Sequence, residues 1–284
     1  IACNRQSIHI EAVRSIRKDF NFSMCLSIFE HILSGRNMYQ TEQFVDRAKA
    51  IGVELSDTQV QQFVTYYEML VERNKYMNLT AITAYDEVID KHFIDSISLN
   101  KAVNVAEKGH IKVIDVGTGA GFPGIPLKIV FPELEITLLD SLNKRVNFLN
   151  EVIAALKLKN IHAMHGRAED FGRNPEYREA YDLCVSRAVA QLATLGEYCM
   201  PFVKIGGQFI PYKSGDIKDE LKNAQKAIKI LGGHLNHVES FKLPETDIER
   251  TLVIIDKTGK TGKTYPRKAG KPSKEPLGMT VSEK

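Results

Sequence analysis

Hydrophobic positions recur at helical spacing in the first third of the chain and gather into short runs further on. Val60, Phe63, Val64, Tyr67, Leu70 and Val71 repeat every three or four residues and predict one buried helical face. Ser56-Asp-Thr-Gln59 has the form of a capping box, with Ser56 at the N-cap and Gln59 at N3, so that helix is predicted to open there. It is predicted to end between Asn74 and Asn78. A second helix is predicted from about Asp86 through Val105, turning Val88, His92, Ile94, Asp95, Ser96 and Leu99 toward the main domain.

From Lys112 the pattern changes to strands alternating with helices. Strands are predicted over Lys112–Val116, Glu135–Asp140, Ile161–Met164, Tyr181–Ser186 and Gly207–Tyr212. Helices are predicted up to about Val130, over Lys144–Leu158, near Gln191–Val203 and over Ile217–Leu231. His234–Lys242 and Arg250–Asp256 predict a closing pair of strands joined by a polar turn. Such alternation implies an α/β fold, a Rossmann-like doubly wound sheet covered on both faces. The closing hairpin implies one antiparallel strand near an edge of a mostly parallel sheet.

The chain divides on this reading into four parts. Residues 1–37 show no sustained period and hold two of the four cysteines. Met38 is read as the native start, because Gly35-Arg36-Asn37 can be encoded by a purine-rich run resembling a ribosome-binding site. Residues 1–37 are therefore expected to be an upstream, non-native extension. Residues 38–108 form an N-terminal helical region, 109–257 the main domain, and 258–284 a basic tail rich in Lys, Gly and Pro.

Composition changes this picture only at the C-terminus. A hydrophobic content of 43% and a charged content of 26% are ordinary for a globular protein. No apolar run is long enough to span a bilayer, and no leader pattern opens the chain, so a cytoplasmic location is expected. Cys3, Cys25, Cys184 and Cys199 lack metal-ligand spacing and are expected to be free thiols, with no bound metal. The net charge of +3 is unevenly spread. Lys257 to Lys284 holds eight basic and two acidic residues, a net +6, which leaves 30 basic and 33 acidic residues, or −3, on residues 1–256. A tail of that kind reads as a contact for an anionic partner.

Candidate chemistry centres on Asp115-Val-Gly-Thr-Gly-Ala-Gly121. Gly117, Gly119 and Gly121 follow a strand and precede a helix, where they allow positive φ and close approach to a ligand. The helix start beyond them offers free N–H groups to an anionic group. Pro123 and Pro126 suit a first helical turn. Gly119-Ala-Gly121-Phe-Pro-Gly124 also satisfies the dinucleotide pattern GxGxxG, so a nicotinamide or flavin nucleotide competes with a methyl donor. Asp140, at the end of the next strand, could serve the ribose of either. Asp115, two residues before the first glycine, favours S-adenosyl-L-methionine, and the second half shows no hydride-transfer site. Lys257-Thr-Gly-Lys-Thr-Gly-Lys-Thr264 looks like a phosphate loop but lacks its first glycine and a following helix.

With these motifs in place the chain resembles the RsmG family, also called glucose-inhibited division protein B, from about Met38 to Leu277. The resemblance rests on Asn78-Leu-Thr-Ala-Ile82, His92-Phe-Ile-Asp-Ser96, Val113 to Pro126, Leu139 to Arg145, Arg167-Ala-Glu-Asp170, Ser186-Arg-Ala188 and Tyr265-Pro-Arg-Lys-Ala-Gly-Lys-Pro272. It implies a class I methyltransferase that moves a methyl group from S-adenosyl-L-methionine to N7 of a guanine in 16S rRNA. The implied partner is the small ribosomal subunit or its assembly intermediate, met by a monomer. It further implies that Gly117, Phe122, Asp140, Ala168, Glu169 and Arg187 serve the cofactor, with Arg187 at its junction with the substrate.

An N7 lone pair is free at neutral pH, so no general base is expected, and Arg187 is read as a positioning group. His92 is read as a packed, hydrogen-bonded histidine. The A-form major groove is too narrow for side chains, so the target guanine must be unpaired or splayed out. Lys144, Arg145, Arg267, Lys268 and Lys271 are candidate phosphate contacts, and Tyr265 a candidate stacking partner. Neutralising Arg267 and Lys268 is expected on this reading to weaken RNA binding and leave the cofactor untouched. The alternatives are a methyltransferase with another RNA or protein target, or a catalytically silent ribosome-assembly factor.

Overall fold

The computed structural model describes residues 39–187 and 190–278. The expected extension over 1–37, the start at Met38, Cys3 and Cys25, and the last six residues lie outside the described residues. A compact unit begins at Thr41.

Its frame is a seven-stranded sheet in the order β3-β2-β1-β4-β5-β7-β6. The strands are β1 Lys112–Val116, β2 Glu135–Asp140, β3 Ile161–His165, β4 Tyr181–Ser186, β5 Val203–Lys213, β6 Gly233–Lys242 and β7 Glu249–Lys257. β1 to β5 pair in parallel, and β7 runs antiparallel between β5 and β6. The strand order reverses direction at β1 and β4, the switch point where α/β sheets bind ligands beyond the carboxyl ends of their strands. The chain has the doubly wound, mostly parallel α/β architecture that the alternation of β and α runs predicts, and the antiparallel β7 gives it the class I methyltransferase form that the resemblance implies.

Helices α1 Thr41–Ala50 and α2 Asp57–Met77 precede the sheet. The Ser56–Gln59 capping box forms, and Asn78 ends α2 in the left-handed conformation. Between Tyr85 and Lys101 the predicted single helix is broken. It comprises α3 Tyr85–Val88, a π-helical stretch Ile89–Ile94, α4 Asp95–Ile97 and a tighter turn Ser98–Lys101. The remaining α-helices among the described residues are α5 Gly124–Val130, α6 Asn143–Ala155, α7 Ala168–Phe171, α8 Leu192–Cys199, α9 Lys218–Ile230 and α10 Lys271–Lys274.

The boundary read between the helical region and the main domain is not a packing boundary. Phe44, Phe63, Tyr66 and Phe93 share one buried core with Val113, Ile136, Leu138 and Ile254 of the sheet. Burying such aromatic side chains is worth roughly 1.5–3 kcal/mol each. Polar side chains fix the register. Gln59 Nε2 donates to the carbonyls of Ile129 and Val130 at the end of α5, and Gln62 Nε2 donates to Leu156 just beyond α6. These carbonyls have no partner within their own helices, so α2 caps both. Tyr66 Oη donates to the Ala120 carbonyl at 2.6 Å, which carries the helical region directly to the glycine loop.

Residues 258–278 fold back on the sheet and on α8. Lys257 is buried, donating from Nζ to Met200 O and Thr261 Oγ1. Burial lowers its pKa to about 8, against the opposing pull of Glu179. Pro272 and Leu277 are buried as well. The lysine-rich stretch before Thr264 is a tight loop packed near Gly232, and turns rather than a helix directly follow it.

Candidate functional site

The glycine loop rises from the end of β1 and is held by β2. The amides of Gly117 and Thr118 donate to Leu139 O, and Gly119 N donates to Asp140 Oδ2 at 2.9 Å. Beneath the loop, Asp115 Oδ2 accepts from Thr118 Oγ1 at 2.6 Å and from Gly124 N at 2.9 Å. The three glycines have separate tasks. Gly117 and Gly119 have φ of +71° and +63°, and a Cβ on either would meet nothing within 4 Å. Gly121 turns inward, where a Cβ would stand 2.6 Å from Tyr66 Oη and from Ile125 Cδ1.

Two clefts open over the carboxyl ends of the strands, and Gly117 lines both. The smaller, of about 410 Å³, is bounded by Leu139, Ala168, Glu169, Tyr198 and Gly270 among others. The larger, of about 760 Å³, is bounded by Gly119, Phe122, His92, Arg187, Lys213 and Arg250 among others. Both clefts are within the usual size range of small-molecule sites. The bare, open backbone at Gly117 and Gly119 is the cradle that an S-adenosyl-L-methionine molecule requires, so the residues present fit that cofactor.

At the floor of the larger cleft, Arg187 is fixed on four sides. Nη1 donates to Lys91 O and to Asp95 Oδ2, both at 2.8 Å. Nη2 lies 3.2 Å from His92 Nδ1. The guanidinium sits over the Phe122 ring, 5.0 Å from its centroid, in cation–π range. His92 stacks on the same ring at 4.5 Å, and its Nε2 is 2.8 Å from Thr80 Oγ1. Burial, followed by the Arg187 charge, lowers the His92 pKa to about 3. The imidazole is therefore neutral. Its Nδ1 faces both the Arg187 guanidinium and, at 3.0 Å, the Lys91 carbonyl, while Nε2 faces the Thr80 hydroxyl.

The expected cofactor residues separate into two groups. Gly117, Gly119, Phe122, Ala168, Glu169 and Arg187 line the clefts. Asp115, Gly121 and Asp140 stand behind them as braces. Asp115 is fully buried, with Oδ1 lacking any partner, and burial raises its pKa to about 6. Both Asp140 oxygens already accept, Oδ2 from Gly119 N and Oδ1 from Leu142 N.

The RNA candidates separate too. Lys144, Lys268 and Lys271 are exposed. Arg145 is half-buried, with Nη1 3.4 Å from Asp140 Oδ2. Arg267 is spent internally, since Nε and Nη2 grip both oxygens of the fully buried Glu197. Tyr265 packs partly against the core, and its carbonyl accepts from Arg178. Sequence periodicity places His92 and Asp95 on a packing face, without showing that they hold Arg187. It gives no sign of Arg250, whose Nε donates to Asp95 Oδ1 at 2.7 Å.

A model of the family described as rRNA small subunit methyltransferase G, GidB, matches residues 59–253. A protein named ribosomal RNA small subunit methyltransferase G from Lachnoclostridium phytofermentans is 54% identical over 240 residues, covering 84% of this chain and 98% of its own. Proteins of the same name from Acetivibrio thermocellus and Alkaliphilus metalliredigens are 53% and 51% identical. They cover 82% of this chain in each case, and 95% and 96% of their own. With the family model spanning more than half the chain and the switch-point clefts in place, the chain belongs to the rRNA small subunit methyltransferase G family.

Proposed function

We propose that the chain transfers the methyl group of S-adenosyl-L-methionine to N7 of one guanine in the 16S rRNA of the small ribosomal subunit. The observation that carries this is the meeting of two clefts at Gly117, with Arg187 fixed on the floor of the larger one. A cofactor seated in the smaller cleft and reaching past Gly117 to Gly119, Phe122 and Arg187 would present its methyl toward the larger, where a splayed-out base fits.

The chemistry asks little of the side chains. The N7 lone pair forms a bond to the methyl carbon as the carbon–sulfur bond breaks, and sulfur keeps that electron pair. No proton moves, so the neutral His92 and the engaged Arg187 need not act as base or acid. Their contribution is positioning, which in favourable cases is worth effective molarities of about 10⁵–10⁸ M. Gly117, Gly119, Phe122, Ala168, Glu169 and Arg187 contact the cofactor on this reading. Asp115, Gly121 and Asp140 hold the loop that receives it. The exposed Lys144, Lys268 and Lys271 face rRNA phosphates, with Tyr265 beside them, while Arg145 and Arg267 are turned to the carboxylates of Asp140 and Glu197. The protein works as a monomer in the cytoplasm.

Incubation with methyl-labelled S-adenosyl-L-methionine and small-subunit particles tests the substrate. Label in 16S rRNA is expected. Label in ribosomal proteins alone would overturn it.

A further inference from the structure

The segment after β7 carries a purpose that its composition conceals. Arg178 Nη1 donates to Gly172 O and Tyr265 O, and Nη2 donates to Thr261 O and Gly262 O. Arg173 Nε donates to Pro266 O at 2.8 Å, and Thr194 Oγ1 donates to Pro272 O. At the centre is Glu197, a carboxylate with no solvent exposure, on α8. It accepts from Arg267 Nε and Nη2 and from the Arg267 backbone N–H at 2.7 Å. A charge buried so completely is tolerable only when it is paired in this way. The clamp delivers the next turn of chain to the smaller cleft, where Gly270 N donates to Glu169 Oε1 at 3.0 Å. Gly270 forms part of the cleft wall and adopts a φ of +79° there. Among the described residues nothing else bonds the Glu169 carboxylate, so Oε2 is left for a ligand.

We propose that residues 261–275 set Gly270 into the wall of the cofactor cleft, and that Arg267, clamped by Glu197, is a positioning residue for the cofactor acting through Gly270 and Glu169. The inference rests on the smaller cleft being the cofactor site. It reverses the division of labour suggested by composition. Arg267 serves the cofactor, and its neighbour Lys268, with an exposed side chain, is left to serve RNA.

Arg267→Lys separates the two roles. It keeps the positive charge that a phosphate contact needs, yet loses the two-pronged fork that grips Glu197. S-adenosylhomocysteine binding, measured by titration calorimetry, is expected to weaken by about tenfold or more. Binding to 16S rRNA and its salt dependence are expected to stay near those of the parent. Lys268→Ala should do the opposite. Hydrogen–deuterium exchange of the unaltered chain gives a second reading, independent of whether the variant folds. Amides of residues 262–274 are expected to exchange more slowly once S-adenosylhomocysteine is added. A parent chain that binds the ligand without protecting this segment, or an Arg267→Lys chain that binds it as the parent does, overturns the wall. A parent that binds no S-adenosylhomocysteine at all overturns the cofactor site as well.

Discussion

Asp95 Oδ2 accepts from Arg187 Nη1 at 2.8 Å, from a position almost closed to solvent. Its other oxygen accepts from Arg250 Nε at 2.7 Å, so one carboxylate sets two guanidinium groups that line the larger cleft. Asp95→Asn would leave both cations without their countercharge. The expected cost is about 3 kcal/mol, the usual range for breaking a buried ion pair. Urea unfolding should show it, together with a fall in methyl transfer. An unchanged unfolding midpoint would mean that the carboxylate does not hold these arginines in solution.

His92 gives a pH dependence whose sign can be worked out. The unfolded imidazole takes up a proton near its ordinary pKa, whereas burial and Arg187 keep the folded one neutral down to about 3. Between about 6.5 and 3 the unfolded state binds more protons, so the stability owed to the neutral ring is lost as pH falls. Asp115 acts in the other direction. Its folded carboxyl keeps a proton up to about 6, so its contribution falls as pH rises from the ordinary carboxylate range toward 6. The stability penalty of His92→Gln is therefore expected to shrink as pH falls from about 6.5 to about 4.5. Unfolding midpoints of the two chains along that range check it, and a constant penalty would contradict a neutral buried ring.

The glycines should respond by position. A Cβ at Gly119 enters the open cleft and takes a positive φ, a strain on the order of 1 kcal/mol. Gly119→Ala is expected to fold and to lose most of its S-adenosylhomocysteine affinity. A Cβ at Gly124 would stand 2.3 Å from Leu138 Cδ2 and 3.0 Å from Asp115 Oδ2. Gly124→Ala is expected to destabilise the chain by about 1–3 kcal/mol, the range for overpacking a core. Thermal unfolding beside ligand titration separates the two outcomes.

Lys144, Lys268 and Lys271 are exposed, and Lys271 makes an exposed ion pair with Glu275 at 3.6 Å. Replacing Lys144 or Lys268 by Ala is expected to lower the slope of log binding constant against log salt by about one for each phosphate no longer neutralised. Arg145→Ala is expected to act on the loop through Asp140 instead. Filter binding of 16S rRNA over a salt series is the check.

The strands are legible in the sequence because their runs of Val, Ile and Leu alternate with turn signals, and Tyr181–Ser186 falls where its pattern places it. The helix predicted over Asp86–Val105 is not. A face of apolar residues shows helical spacing but not the π-helical stretch at Ile89–Ile94 that turns His92 and Asp95 toward Arg187. Within the loop, spacing marks three glycines alike, yet only the fold shows that Gly121 meets Tyr66. Charge counting treats Arg267 as one cation among several, because nothing local links it to Glu197, seventy residues earlier. Lys257 misleads for the same reason, since composition counts a charge and not its burial.

The central claim is methyl transfer to a guanine N7, and the position of the methyl group on the base tests it most directly. 16S rRNA from labelled small-subunit particles would be digested to nucleosides and also cleaved chemically at N7-methylated purines. The expected result is label in 7-methylguanosine, with strand scission at one position. Label recovered in any other nucleoside, with no scission, would contradict it.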